Sequence, residues 1–347
     1  MDVSGKEITG QALDGVDAAR AALVKEAQAH GLPVSYIEQG PPPVLQLPPP
    51  APVVSVHPVV LAAPGRGEDL HVRVSAPTQG RDLPIIVFSH GSGSSALGYG
   101  PLADFWAAHG FVVIQPTHLD SRTVSVPPQD PRIPLIWRYR VADDVQVLDN
   151  LDTLEAAVPG LAGRTDRSRI AAAGHSFGGQ TAGNLLGLRV PTVDAPRGED
   201  HADPRVRAGV LLATAGEGGD NLTAFAKNFD YLNPTFAHLT TPSLVVAGDR
   251  DDLPFTVRGP AWCMQPYHLS PGAGSLLTLF GAEHSLGGIA GYDAKETTDE
   301  DPARVALVQQ VTWAFLRHAL GVEEDSWRTV RGALARPHPL GQLEHKQ

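Results

Sequence analysis

Cysteine is nearly missing from this sequence: Cys263 is the only one among 347 residues. A single thiol excludes an intrachain disulfide. No motif centred on cysteine surrounds it, so we predict a small core residue and not a nucleophile. No cluster of cysteine and histidine has metal-ligand spacing either, and the sequence therefore predicts no metal site.

Basic residues and long apolar runs are also scarce. The 27 Lys and Arg residues against 38 Asp and Glu residues leave a formal net charge of −11, which argues against nucleic acid and anionic membranes as partners. No apolar run approaches the roughly 20 residues that span a bilayer. The first residues lack the basic and then apolar pattern of a secretory signal. We therefore expect a cytoplasmic protein without a membrane span.

Proline is concentrated near the N-terminus. Residues 40–52, GPPPVLQLPPPAP, favour an extended chain because proline at this density blocks both helices and sheet ladders. Residues 12–30 carry apolar positions at helical spacing and precede Gly31. These patterns predict an N-terminal helical extension over 1–40 and a Pro-rich linker over 41–52. The extension is also a candidate contact for a homodimer.

From Val53 onward, short apolar runs alternate with helical patterns. Continuous apolar runs are typical of strands buried on both faces of a parallel sheet. We predict an α/β fold over 53–320, with a mostly parallel eight-stranded sheet flanked by helices, and a charged tail over 321–347. The strand candidates are 54–61, 70–75, 84–89, 111–115, 169–173, 207–213, 243–247 and 275–280, and the helix candidates are 101–109, 140–157, 177–188 and 302–320.

A serine stands in a glycine-rich turn in the stretch AAAGHSFGGQ, residues 171–180. Ser176 follows a predicted strand and precedes a predicted helix, the setting that a G-x-S-x-G nucleophile turn requires. Gly174 and Gly178 remove the bulk that would obstruct so tight a turn. The Phe177 N–H, at the helix N-terminus, is a candidate donor to a developing oxyanion.

A base and an acid follow this serine in the order expected for such a site. The segment GDRDD, which follows a buried strand, supplies Asp249, Asp251 and Asp252 as acid candidates. His284 lies just past the last predicted strand, in a short loop bounded by glycine. A serine needs a base that accepts its proton before it becomes a good nucleophile, and we predict that His284 is this base.

The second oxyanion donor is expected in the loop 90–93, HGSG, which follows a buried strand. Gly91 allows close approach of the backbone, and we predict the Ser92 N–H as donor, with Gly93 as the alternative. The same loop matches a G-x-G-x-x-A dinucleotide fingerprint, with Asp120 as a ribose ligand. Two features disfavour that reading: no helix opens directly after the loop, and the acid is nearly 30 residues away rather than about 20.

Four aromatic residues are candidates for the substrate-binding wall, together with Gly91 and Gly93 of the loop: Trp137, Phe225, Phe255 and Trp262. The four lie in loops expected beyond the strand ends, although packing in the core is an equally good explanation for each. Two arginines, Arg138 and Arg140, stand near the aspartates 143 and 144, which predicts ion pairs at a helix start.

These motifs resemble the α/β-hydrolase superfamily. The segments VFSHGSGSS, GHSFGGQTA and GAEHSLGG are similar to serine esterases of the chlorophyllase, platelet-activating-factor acetylhydrolase and dienelactone-hydrolase-like group. The resemblance covers residues 53–320. It departs from dienelactone hydrolases proper, which use cysteine where this chain has Ser176. The Gly-x-x-Asp pattern usual after this strand selects Asp251 as the acid, with Asp252 second.

The resemblance implies a serine hydrolase that cleaves small-molecule or polymeric esters through an acyl-enzyme. Ser176 would attack the carbonyl carbon, His284 would take its proton, and Asp251 would orient the imidazole. The N–H groups of Ser92 and Phe177 would bind the oxyanion, and no cofactor is needed. The alternatives are an amidase, peptidase or lactonase on the same triad, or a non-catalytic ligand-binding protein on this fold.

Overall fold

The computed structural model describes Lys25 and residues 43–346, except Ser125, Pro128, Tyr292, Asp293 and Pro337. The helix predicted over 12–30 lies outside the described residues, apart from Lys25. The described part of the predicted linker, 43–52, contains neither helix nor strand.

Nine strands form one sheet in the order β1-β2-β4-β3-β5-β6-β7-β8-β9 among the described residues. The strands from β3 to β8 run parallel to one another, whereas β1, β2 and β9 pair with their neighbours in antiparallel fashion. The strands are β1 (Val53–Leu61), β2 (Leu70–Pro77), β3 (Leu83–Ser89), β4 (Val112–Pro116), β5 (Thr165–His175), β6 (Val206–Leu212), β7 (Ser243–Gly248), β8 (Ala273–Leu279) and β9 (Gly341–His345).

The mostly parallel α/β architecture confirms the predicted fold class, with one strand more than the eight expected. The additional strand is β9, which pairs with β8 at the edge of the sheet. Its sequence, GQLEH, carries none of the apolar continuity that marks the central strands, because an edge strand is largely exposed. A short polar strand of this kind is visible only from its pairing.

Helices flank the sheet, and each of the four helix candidates overlaps a helix of the structure, whereas the helices Gln265–Leu269 and Asp325–Leu334 have no counterpart among the candidates. The predicted helix over 140–157 is two helices that meet at Asn150, whose backbone leaves the helical region. The helices are α1 (Gly100–Ala108), α2 (Ile136–Asp149), α3 (Leu151–Ala157), α4 (Phe177–Leu185), α5 (Gln265–Leu269), α6 (Pro302–Ala319) and α7 (Asp325–Leu334). No helix among the described residues is long and apolar enough to cross a membrane.

The sheet separates two apolar clusters, one on each face. Side chains alternate along β3, so that Ile85 and Val87 enter one cluster while Ile86 and Phe88 enter the other. Both faces of the strand are therefore buried, which explains its continuous apolar sequence. The C-terminal ends of β3, β5, β7 and β8 carry the loops in which the sequence predicts the site.

Candidate active site

Ser176 occupies a strained turn between β5 and α4. Its backbone angles are φ 56° and ψ −121°, a conformation that non-glycine residues rarely adopt. A Cβ on Gly174 would overlap the Gly178 carbonyl, and a Cβ on Gly178 would overlap the Ser89 carbonyl. The turn can therefore form only with glycine at both positions, as the sequence motif predicts.

The structure brings Ser176, His284 and Asp251 together. The Ser176 Oγ lies 2.8 Å from the His284 Nε2, and the His284 Nδ1 lies 2.9 Å and 3.0 Å from the two Asp251 oxygens. A carboxylate can only accept, so the Nδ1 carries the proton and the Nε2 is free to accept from the serine hydroxyl. Asp251 is 1% exposed, which shields this hydrogen bond from water.

The pairing of β7 with β8 explains how Asp251 and His284 meet. Gly248 at the end of β7 is opposite Leu279 at the end of β8, so the two following loops start side by side. Of the three acid candidates, only Asp251 contacts His284. Asp249 accepts from the Gly281 N–H at 2.6 Å and thereby ties the two loops together. Asp252 is exposed.

The two predicted oxyanion donors border the same cavity as Ser176. In the loop after β3, the Gly91 N–H donates to the Tyr99 hydroxyl at 3.0 Å, and the Gly93 N–H makes a long contact of 3.4 Å with Asp120. Within the described residues, no hydrogen bond engages the N–H of Ser92, which lies between them. This arrangement favours Ser92 over Gly93 as the available donor.

The cavity beside Ser176 has a volume of about 100 Å³ and no charged residue in its lining. Phe255 and Trp262 line it, whereas Trp137 does not: Trp137 is 2% exposed and packs in the core edge-on to His201. The side chain of Trp137 points inward from α2, so the core explanation holds for this residue. The cavity is lined by Ser92, Ser176, Phe177, Gln180, Ala213, Ala215, Tyr231, Leu232, Leu253, Phe255 and Trp262.

Tyr231 is a wall residue that sequence reasoning missed. Its ring stacks on Phe177 with 4.7 Å between the ring centroids. It lies in the irregular segment 214–240, where no periodic pattern distinguishes one aromatic residue from another. Phe225 of the same segment is 61% exposed instead of lining the cavity. Only the tertiary structure separates the two.

His175, which the sequence predicts to pack or form hydrogen bonds behind the turn of Ser176, belongs to a buried relay there. The His175 Nε2–H donates to the His284 carbonyl at 2.7 Å, and the His175 Nδ1 accepts from the Tyr99 hydroxyl at 2.7 Å. Tyr99 in turn accepts from the Gly91 N–H. The relay therefore connects the loop that carries the base with the loop that carries the Ser92 N–H. Burial, reinforced by nearby His284, lowers the pKa of His175 to about 3, so the ring stays neutral.

Replacement of His175 by glutamine should make the protein's stability less sensitive to acid. An unfolded histidine binds a proton near pH 6.5, about three units above the folded pKa of His175. Neutral His175 therefore makes its full contribution to the unfolding free energy above about pH 6.5, and this contribution is lost as the pH falls toward about 3. We expect the difference in unfolding free energy between wild type and His175→Gln to shrink by about 1.4 kcal/mol per pH unit between about pH 6 and 4.

Denaturant titrations at several pH values measure this difference. His268→Gln, on the protein surface, controls for the general effect of losing a histidine. A difference that stays constant across the range would contradict a neutral, buried His175.

The two arginines of α2 pair with carboxylates other than those expected. Arg138 pairs with Glu199 at 2.8 Å, and Arg140 pairs with Asp120 at 2.6 Å. The prediction of ion pairs within the helix start was therefore wrong, because residues distant in sequence compete for these guanidinium groups. Arg140 is completely buried, and Arg138 is partly exposed.

The two aspartates of α2 belong instead to a buried network under the loop after β3. Asp143 lies 2.8 Å from Arg66 and 2.9 Å from the His118 Nδ1. Asp144 accepts from the Ser89 hydroxyl at 2.7 Å. Burial raises the pKa of Asp144 to about 7. The network has a serine and a histidine of its own, but Ser89 and His118 are completely buried, so a substrate cannot reach them.

Cys263 is a buried core residue, as predicted. Burial, together with nearby Asp251, raises the pKa of its thiol well above the usual range. A thiol in this environment stays protonated at neutral pH and is a poor nucleophile.

Comparison with protein families matches residues 62–192 to chlorophyllase. This stretch of the chain resembles chlorophyllase, a family of the α/β-hydrolase type. The match confirms the predicted resemblance and supports a hydrolase that acts on esters. The chlorophyllase-like stretch includes the loop 90–93 and Ser176 but ends before Asp251 and His284. A search of curated proteins gives no match.

Proposed function

We propose that this protein is a serine esterase that uses Ser176, His284 and Asp251 as a catalytic triad. The observation that carries the proposal is the continuous hydrogen-bond chain from the Ser176 Oγ through His284 to Asp251, at the edge of an uncharged cavity. Serine, base and orienting acid lie within hydrogen-bond reach, which is the geometry that nucleophilic catalysis requires.

In the proposed reaction, His284 accepts the hydroxyl proton as the Ser176 Oγ attacks the ester carbonyl carbon. The imidazolium then donates this proton to the leaving alcohol as the carbon–oxygen bond breaks, which leaves the acyl group on Ser176. Water attacks the acyl-enzyme with His284 as base, and the acid product departs. Asp251 holds the Nδ1 proton and stabilises the imidazolium in both steps.

The developing oxyanion would accept hydrogen bonds from the N–H groups of Ser92 and Phe177. Both residues border the cavity at Ser176. Phe177 is the first residue of α4, where the unpaired N–H groups and the positive end of the helix dipole favour an anion. Removal of one such donor costs about 10²–10³ in kcat in enzymes of this kind.

We assign the cavity to the acyl group. The acyl group stays bound to Ser176 until water arrives, whereas the alcohol must leave after the first step, so an enclosed space suits the acyl group better. The cavity volume of about 100 Å³ is small beside the roughly 300–1,000 Å³ of sites that enclose drug-sized ligands. Its lining is apolar apart from hydroxyl groups, an indole N–H and the Gln180 amide. A short, uncharged acyl chain fits these properties.

A series of p-nitrophenyl esters from acetate to palmitate tests the function and the assignment together. We expect hydrolysis by the purified protein, with kcat/KM highest for acetate to butyrate and at least tenfold lower for octanoate and longer chains. Absence of turnover with every ester would contradict an esterase. Turnover that rises steadily with chain length would leave the esterase in place and contradict the assignment of the cavity to the acyl group.

A further inference from the structure

Arg140 contacts both parts of the proposed oxyanion site although it does not line the cavity at Ser176. Its side chain is completely buried, and each of its three nitrogen atoms has a partner. The Nη1 donates to Asp120 at 2.6 Å, the Nε donates to the Thr181 hydroxyl at 2.9 Å, and the Nη2 donates to the His90 carbonyl. A buried arginine with so complete a set of partners has a defined orientation.

Two of these contacts hold the loop that presents the Ser92 N–H. The His90 carbonyl precedes Ser92 by two positions, and it accepts directly from Arg140. On the other side of Ser92, the Gly93 N–H points to the second oxygen of Asp120, whose first oxygen is bound by Arg140. The residues on both sides of Ser92 are therefore held by the Arg140 guanidinium group, His90 directly and Gly93 through Asp120.

The remaining contacts hold the residue that presents the other donor. The Arg140 Cζ lies 4.6 Å from the centroid of the Phe177 ring, a cation–π geometry. Thr181, which accepts from the Arg140 Nε, donates its own hydroxyl proton to the Phe177 carbonyl at 3.0 Å. The same guanidinium thus fastens the first turn of α4 as well as the loop after β3.

The positive charge of the buried Arg140 is compensated by its ion pair with Asp120. Burial by itself would raise the pKa of Asp120, but Arg140, together with His90 and the Gly93 N–H, lowers that pKa below its usual value. The carboxylate stays ionised and forms a neutral pair with the guanidinium. The geometry of the contacts, and not a net charge, is what Arg140 contributes.

We propose that Arg140 is a positioning residue that fixes the Ser92 and Phe177 N–H groups relative to each other for oxyanion binding. This inference rests on the proposed esterase function. An oxyanion forms only in the transition state, so misplaced donors should lower kcat and leave KM nearly unchanged. A shift of about 1 Å in catalytic geometry can cost about 10² in rate.

Arg140→Lys is the first test, because the three donors of an ammonium group share one nitrogen and cannot reach the partners that are spaced around the planar guanidinium group. We expect kcat to fall about 10- to 100-fold, with KM within about threefold of wild type. Arg138→Lys is the matched control, since Arg138 is two residues away on the same helix and pairs with Glu199 outside the site. Its kcat should stay within about twofold of wild type, as is usual for surface changes.

A second readout separates positioning from general damage to the structure. A thionoester places a sulfur atom, a weak hydrogen-bond acceptor, where the oxyanion would form, so its hydrolysis depends less on the two donors. Arg140→Lys should therefore lose most of its rate with the oxygen ester and much less with the matched thionoester. Equal losses with both esters would overturn the proposal, and so would a folded variant whose kcat stays within threefold of wild type.

The double variant Arg140→Met with Asp120→Asn is the second test, in case Arg140→Lys does not fold. It removes both members of the ion pair, so neither buried charge is left without a partner. Circular dichroism and thermal unfolding establish that it folds, and the same selective loss of oxygen-ester turnover is expected. Failure of both variants to fold would show that Arg140 serves stability instead, which also overturns the proposal. Absence of ester turnover in the wild type would contradict the esterase itself and is thus a distinct outcome.

Discussion

Replacement of Ser176 by alanine is expected to lower kcat for ester hydrolysis by a factor on the order of 10⁶ and leave only a small residual rate. The Ser176 hydroxyl is the proposed attacking group, and it is hydrogen-bonded to the His284 Nε2 at the edge of the cavity. Alanine keeps the Cβ and the backbone N–H of the turn, which donates to the Leu212 carbonyl at 2.8 Å. The fold should therefore persist while the chemistry is lost.

Steady-state kinetics measures the loss, and mass spectrometry identifies the nucleophile. A fluorophosphonate should add one covalent group to the wild type and none to Ser176→Ala. Ser168→Ala, at the opposite end of β5 on the exposed surface, is the control and should retain full activity. A loss of less than tenfold in Ser176→Ala would remove this residue from its proposed role.

Replacement of Asp251 by asparagine should lower kcat by about 10⁴ at neutral pH, the size of the effect when the acid of such a triad loses its charge. An amide nitrogen can donate to the His284 Nδ1, which favours the tautomer with the proton on the Nε2. In that tautomer His284 cannot accept the Ser176 proton. The imidazolium also loses its counter-charge at a site that is 1% exposed.

The neighbouring residue supplies a matched control for this substitution. Asp252 is exposed and, among the described residues, its side chain makes no hydrogen bond to Ser176, His284 or Asp251, so Asp252→Asn should stay within about twofold of wild type. Both variants make the same change, from a carboxylate to an amide, at adjacent positions. Comparison of their pH–rate profiles shows which of the two substitutions affects His284. A larger loss in Asp252→Asn than in Asp251→Asn would assign the acid to Asp252.

Most of the sequence predictions about the backbone rested on patterns of residues that are close together in the chain. The glycine requirement at 174 is a steric condition within one turn, whereas the obstacle at 178 is the Ser89 carbonyl of β3. The G-x-S-x-G spacing is nevertheless recognisable from five residues. The apolar runs of the central strands reflect burial on both faces of the sheet, which is also a local property of the sequence. The edge strand β9 lacks that signal and was therefore missed.

Long-range contacts explain what the sequence did not reveal. Arg140 meets Asp120, 20 residues away, and Thr181, 41 residues away, and these partners prevail over the acidic residues of its own helix. Tyr99 meets His175 across 76 residues. Tyr231 lies in a segment without periodicity, and its position beside Phe177 depends on how that segment folds back over α4.

The sequence by itself determined the α/β architecture, the strained turn at Ser176 and the order of the candidate residues along the chain. These properties depend on residue spacing and on runs of apolar residues, both of which are visible over a few positions. Only the tertiary structure decided that Asp251 and not Asp252 faces His284, that Trp137 belongs to the core, and that Arg140 contacts both the loop after β3 and Phe177. The reason is physical: adjacent side chains of a loop point in different directions, and only the packing of distant segments determines which one meets a partner.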